Sequence, residues 1–124
     1  MNFDSKARRY KGALRKSESM ERHSTWRCGG AAANYFEPIN LQEIASYLSA
    51  SGDGENIIWL GLGSNLLVRD GGFSGTIIST AKALCSMSWL QDNTFLYVES
   101  GVPCAKVAKE AAIKDRGGLE FLIG

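Results

Sequence analysis

The sequence predicts an α+β domain, on three observations. Two segments repeat apolar residues at helical spacing behind start signals, one after Asn40 and one after Pro103. Runs of strand-forming residues lie at 32–37, 56–60, 66–69, 75–79 and 94–99. Glycine-rich turns punctuate these runs, most densely between Trp59 and Gly75, where two apolar runs flank a glycine, serine and asparagine turn. The chain's 124 residues support one modest domain with a real core.

Composition narrows the class. With 44% apolar and 22% charged residues the chain reads as a soluble globular protein. Its net charge of +1 hides an asymmetry, because residues 1–27 carry +5 and the remainder −4. The three cysteines, Cys28, Cys85 and Cys104, are odd in number and widely spaced, with only His23 to help hold a metal. That spacing argues against a zinc site or a disulfide framework; they read as small core residues in a reducing compartment. No apolar run approaches the length of a membrane span, and the polar N-terminus lacks a signal-peptide core, so the default expectation is cytoplasmic.

Taken in order, residues 1–24 read as a basic N-terminal extension with Lys6, Arg8, Arg9, Lys11, Arg15, Lys16 and Arg22. The aromatic interleaving of a nucleic-acid site is absent, so the expectation is a solvated arm packed loosely on its own domain. Residues 32–37 read as a strand ending at Pro38. Asn40 then reads as a helix N-cap with Glu43 completing a capping box, and Leu41, Ile44, Ala45 and Leu48 as the buried face. Gly52 and Gly54 end that helix, and residues 56–60 deliver the chain into the glycine turn. Beyond it, Leu66–Arg69 reads as a short strand and Asp70-Gly71-Gly72 as a tight turn. Residues 75–79 form the returning strand, and Arg69 and Asp70 are expected solvent-facing or paired. The stretch containing Cys85, Met87 and Trp89 is irregular; residues 94–99 alternate as a half-buried strand. Pro103 suits the first turn of a helix whose Cys104, Val107, Ala108 and Ala111 form a small-residue face. The final apolar run, Leu119 to Ile123, has nothing downstream to cover it, which suggests a chain cut short.

The glycine turn is a candidate anion cradle. Gly61 and Gly63 carry no Cβ and tolerate positive φ, so a phosphate can approach their backbone, and consecutive N–H groups can converge on it. Ser64 adds a hydroxyl, and Asn65 an amide that tolerates the left-handed region and can hydrogen-bond its own loop. Neither a Walker A loop nor a Rossmann fingerprint fits: no lysine lies between Asn56 and Lys82, and position 66 is Leu rather than glycine. From the residues alone, a phosphate cradle and an ordinary tight hairpin both remain open.

Three segments carry a family resemblance: Ser24-Thr25-Trp26-Arg27-Cys28-Gly29-Gly30-Ala31-Ala32, the run from Leu60 to Gly75, and Gly118-Leu119-Glu120-Phe121-Leu122-Ile123-Gly124. With them the chain resembles the N-terminal part of the UDP-N-acetylenolpyruvoylglucosamine reductases, over nearly everything after residue 24. The resemblance implies an FAD-binding fold of the vanillyl-alcohol-oxidase (PCMH) type, with residues 25–80 as the first FAD-binding subdomain and 81–124 as the incomplete start of the second. It implies that Gly61, Leu62, Gly63, Ser64, Asn65 and Leu66 wrap the FAD pyrophosphate. It further implies NADPH as reductant and an enolpyruvyl UDP-sugar as substrate in peptidoglycan synthesis, with the cofactor carrying the redox step. The family's catalytic residues would lie downstream, so none is assigned here, and the chain alone is expected to be inactive. The alternatives are another FAD oxidoreductase of the same fold or a non-enzymatic remnant. Gly63→Val is expected to abolish FAD binding in a full-length protein, through a clash with the phosphate and resistance to positive φ.

Overall fold

A computed structural model describes residues 3–123. Met1, Asn2 and Gly124, at the ends of the expected N-terminal extension and of the 118–124 motif, lie outside them. The chain runs α1 (Phe3–Ala7), β1 (Ala13–Ser19), β2 (Ala31–Glu37), α2 (Leu41–Ala50), β3 (Ile57–Leu60), β4 (Phe73–Ser79), β5 (Met87–Leu90), β6 (Phe95–Val98) and α3 (Cys104–Ile113), with 3₁₀ turns at Met20–His23 and Glu120–Ile123. Four strands form a mixed sheet in the order β1-β2-β4-β3, and β5 and β6 form a separate antiparallel pair. This is the α+β architecture that the helix and strand signals predict.

β4 lies inside the sheet, and its Thr76, Ile77 and Ile78 are fully buried. Successive side chains of a strand point to opposite faces, so Ile77 joins Met20, Ala32, Tyr35, Leu60 and Val68 on one side. Ile78 joins Tyr10, Leu14, Phe36 and Tyr47 on the other. A strand buried on both faces reads as a continuous apolar run, which residues 75–79 are.

The strands flanking the glycine turn are parallel: Ile58 pairs with Ile77 and Leu60 with Ser79. The turn is therefore a crossover between parallel strands and not a hairpin, and it makes that crossover without the usual helix. Residues 66–69 form no strand. Val68 is buried and Leu66 packs against the same cluster, but the backbone there is claimed by Gly30, whose N–H donates to the Val68 carbonyl at 3.1 Å and the Arg69 carbonyl at 3.2 Å. The Asp70-Gly71-Gly72 turn forms as expected, closed by the Gly72 N–H on the Arg69 carbonyl at 2.8 Å. Arg69 and Asp70 are exposed.

The basic N-terminal segment is a structural part of the sheet rather than a loosely packed arm. β1 pairs antiparallel with β2, Leu14 opposite Phe36 and Arg15 opposite Tyr35. Tyr10, Leu14 and Met20 are buried, whereas Arg15 and Lys16 face solvent. Charged side chains on an edge strand hide it from sequence reading and protect it from pairing with another chain.

The start of α2 holds that segment in place. The Asn40 Oδ1 accepts the Glu43 N–H at 2.9 Å. The Glu43 carboxylate does not return to Asn40 as in a capping box; it accepts from the N–H groups of Ile39 at 3.0 Å, Lys11 at 2.6 Å and Gly12 at 3.2 Å. The buried face of α2 is Ile44 and Tyr47, while Leu41, Ala45 and Leu48 are exposed. Tyr47 decides that rotation: its ring stacks on Phe36 at 4.8 Å, and its hydroxyl meets the Thr76 hydroxyl at 2.8 Å and donates to Glu55 at 2.9 Å.

The irregular stretch before residue 94 contains β5, joined to β6 through Gln91, Asp92 and Asn93, all at positive φ (47°, 53° and 64°). The Trp89 indole N–H donates to Glu110 at 3.0 Å and ties this pair to α3. On α3, Ala108 and Ala111 are buried, but Cys104 is not. All three cysteines are free and exposed rather than core residues: Cys28 and Cys85 fall in connecting segments and Cys104 on the first turn of α3.

Candidate functional site

The site is built where β3 and β4 end. The Thr80 N–H closes the ladder on the Leu60 carbonyl at 2.8 Å, and the chain then turns away through Gly61. Gly63 adopts φ +75°, a conformation that favours glycine. A Cβ there would overlap the His23 carbonyl oxygen, and the Gly63 carbonyl accepts the Thr25 N–H at 3.1 Å. The Ser24-Thr25 segment and the glycine turn are thus clamped backbone to backbone. Gly61 differs: it shows no positive φ, and a Cβ on it would meet nothing closer than the Ser100 carbonyl oxygen at 3.6 Å.

Opposite this turn stands the start of α3. The Gly101 N–H bonds the Leu84 carbonyl at 2.7 Å, and the Leu84 N–H bonds Thr80 at 2.9 Å, which pins residues 100–103 beside the end of β4. Pro103 occupies the N-cap position and offers no side-chain cap. The Lys106 and Val107 N–H groups both reach the Pro103 carbonyl, at 2.9 and 3.2 Å, leaving those of Cys104 and Ala105 as uncapped helix-start donors.

Between the two walls lies a cleft of about 580 Å³, lined by residues 59–66, 100–105, Leu122 and Ile123. All the residues expected to hold a phosphate, Gly61, Leu62, Gly63, Ser64, Asn65 and Leu66, line this one cleft. Among the described residues, no charged side chain does. Among the described residues, no N–H from Gly61 to Asn65 is hydrogen-bonded to another protein group. An anion here would meet open backbone donors and the positive end of a helix dipole rather than a lysine. Asn65 does not use the left-handed region open to it, since its φ is not positive, and among the described residues its side chain bonds nothing in the loop.

Sequence reasoning missed the α3 wall. Its signal was present in Gly101 and in a helix starting behind Pro103 without a Ser, Thr, Asp or Asn cap. The ground for Gly63→Val also shifts, since that side chain would strike the His23 carbonyl whether or not a phosphate is bound.

A second cleft, of about 480 Å³, shares Leu60, Gly61 and Leu62 with the first and is lined by Arg22, Thr25, Arg27, Tyr35 and Ser79 among others. Burial pushes the Tyr35 phenol up from its ordinary value, against the lowering effect of its hydrogen bond with Ser79.

No protein-family model matches the chain. Individual proteins do. The UDP-N-acetylenolpyruvoylglucosamine reductase of Legionella pneumophila (strain Corby) is 46% identical over 113 residues, 91% of this chain and 36% of the relative. That of Nitrosococcus oceani is 44% identical over 92% of this chain and 38% of the relative. That of Nitrosospira multiformis is 37% identical over the whole of this chain and 36% of the relative. The chain therefore spans little more than a third of the length of these relatives.

Proposed function

Because this chain belongs to the UDP-N-acetylenolpyruvoylglucosamine reductase family, we propose that it is an FAD-binding portion of such a reductase and that Gly61, Leu62, Gly63, Ser64, Asn65 and Leu66 hold the FAD pyrophosphate. The observation that carries this reading is the cleft itself, with open amides on the glycine turn facing the uncapped start of α3. Each hydrogen bond from such an amide to a charged phosphate contributes roughly 1.5–3 kcal/mol, so a few of them hold a diphosphate without a lysine. The open space above Gly61 lets the backbone approach the ligand closely.

When bound, FAD would supply the redox chemistry for an NADPH-dependent reduction of an enolpyruvyl UDP-sugar to UDP-N-acetylmuramate, with Gly61 to Leu66 holding its pyrophosphate. The residues of this chain bind and orient; we assign none of them a catalytic role. The fold that suits this reading is the FAD-binding type of the vanillyl-alcohol oxidases, with residues 25–80 and 81–124 contributing to its two subdomains. The proposed setting, following from the family reading, is cytoplasmic. Among the described residues no helix is long and apolar enough to cross a membrane.

A thermal melt of the purified chain with and without FAD tests the reading. FAD at about a hundred times its Kd adds roughly 2.7 kcal/mol of apparent stability. We expect a rise in Tm with FAD and no NADPH-dependent turnover of the UDP-sugar. An unchanged Tm at saturating FAD would sink the cradle, and turnover by the chain alone would sink the assignment of catalysis to residues outside it.

A further inference from the structure

We infer that His23, held by Glu18, is a positioning residue for the glycine turn: it fixes the backbone segment against which Gly63 is clamped. The inference rests on the reading of that turn as the FAD phosphate cradle.

The geometry runs through three contacts. The His23 Nε2 and Glu18 Oε1 lie 2.8 Å apart, and both side chains are largely shielded. The His23 ring stacks on Tyr35, with centroids 4.1 Å apart and planes 23° apart. Tyr35 belongs to the rigid interior of the sheet, at 2% exposure. The ring is thus gripped from the side by a carboxylate of β1 and from below by an aromatic of β2. Arg15, at 3.7 Å from the same Glu18 oxygen, completes the group around it.

What this grip holds is backbone. The His23 carbonyl occupies the space that a Gly63 side chain would need, and two residues on, the Thr25 N–H donates to the Gly63 carbonyl at 3.1 Å. Upstream, the segment is tied by buried Met20, whose N–H bonds the Gly30 carbonyl at 3.2 Å. Among the described contacts between Met20 and Thr25, His23 is the side chain anchored to the sheet; Glu21 and Arg22 are exposed, and the Ser24 hydroxyl serves the local Trp26 N–H at 3.2 Å. Without the ring, the segment is free to lift, and the cradle loses the wall that sets the path of Gly63.

The test uses the full chain and the variants His23→Ala, His23→Phe and Glu18→Ala. Amide exchange of Thr25 is read without ligand, and FAD affinity by flavin fluorescence. In His23→Ala the Thr25 amide is expected to exchange about tenfold faster while the amides of Ile77 and Ile78 keep their protection. FAD affinity should fall by about tenfold, and His23→Phe, which keeps the ring stack, should recover part of both effects. Should His23→Ala not fold, Glu18→Ala takes its place, because it removes the same hydrogen bond and leaves the stack. Unchanged Thr25 exchange in His23→Ala, or in Glu18→Ala if that variant is the one used, overturns the inference. Faster exchange in a chain whose parent form binds no FAD upholds the clamp and overturns the cofactor reading instead.

Discussion

Gly61 faces the carbonyl oxygen of Ser100 across the mouth of the cleft with room for a methyl group, the nearest approach of a Cβ being 3.6 Å. Two residues on, Gly63 has no such room, because the His23 carbonyl fills it. Glycines that look equivalent in the sequence therefore do different work, one leaving open space in the cleft and the other leaving space for the protein's own backbone.

A pair of substitutions separates these roles. Gly61→Ala should leave the Tm of the free chain within a degree or two of the parent, since the methyl meets ordinary van der Waals contact, and should weaken FAD binding by about tenfold. Gly63→Val should destabilise the chain by about 2 kcal/mol or more before any ligand is added, because a β-branched residue resists positive φ and overlaps backbone. Urea midpoints and fluorescence titrations read both. Equal loss of stability in the two variants would contradict the distinction.

Cys104 offers a chemical probe of the same cleft. It is an exposed, free thiol on the cleft wall, while Cys28 and Cys85 are exposed outside it. Saturating FAD should slow modification of Cys104 by N-ethylmaleimide and leave the other two unchanged, as read by peptide mass spectrometry. Equal labelling of all three with and without FAD would argue that the nucleotide does not occupy this cleft.

Stability should fall on the acid side through two carboxylates. Burial pushes Glu55 up, but hydrogen bonds from Thr76, Ser51 and Tyr47 together hold it below its ordinary 4.5. Burial likewise pushes Glu43 up, and the N–H groups of Ile39, Lys11 and Gly12 hold it below the same value. A carboxyl lowered by folding contributes stability that is whole above its unfolded value and is lost as pH falls through the folded one. The urea midpoint should therefore decline below about pH 4.5, and Glu55→Gln should show a shallower decline than the parent. An identical decline in the variant would remove Glu55 from this account.

On the alkaline side the sign reverses. Burial first, with nearby Glu55 adding to it, pushes the Tyr47 phenol up to about 12 against the opposing hydrogen bond from Thr76. A group raised by folding contributes stability present below its unfolded value, ordinarily 10.0, and lost as pH rises through the folded one. Spectrophotometric titration should show late-ionising tyrosine, and Tyr47→Phe should remove one such group. Ionisation of every tyrosine near pH 10, about the value of an exposed phenol, would contradict the buried setting.

Local signals carried much of the fold. The strand read at 32–37, the helix behind Asn40, the strand into the glycine turn and the helix behind Pro103 were all legible, because each rests on near-neighbour patterns of apolar residues and caps. What escaped depends on distant partners. Nothing in Leu14-Arg15-Lys16 announces a strand until β2 is there to pair with it. The direction of β4 relative to β3 is settled by the sheet and not by the turn between them, which is why a hairpin remained open. The face of α2 turned on Tyr47, whose ring and hydroxyl answer to Phe36 and Thr76 rather than to helical spacing. At the site, the glycine turn was readable as a run of residues, whereas its second wall at Cys104 and Ala105 arises only when Gly101 docks beside Thr80.

The proposed seat of the FAD phosphates is the backbone of Gly61 to Leu66 against the start of α3. An amide NMR titration of the chain with FAD tests it most directly. The amides of Gly61 to Leu66, Cys104 and Ala105 should shift together, with those of Arg15 and Lys16 on the far edge strand unmoved. Saturating FAD that leaves the glycine-turn amides in place, or shifts only residues outside the cleft, would contradict it.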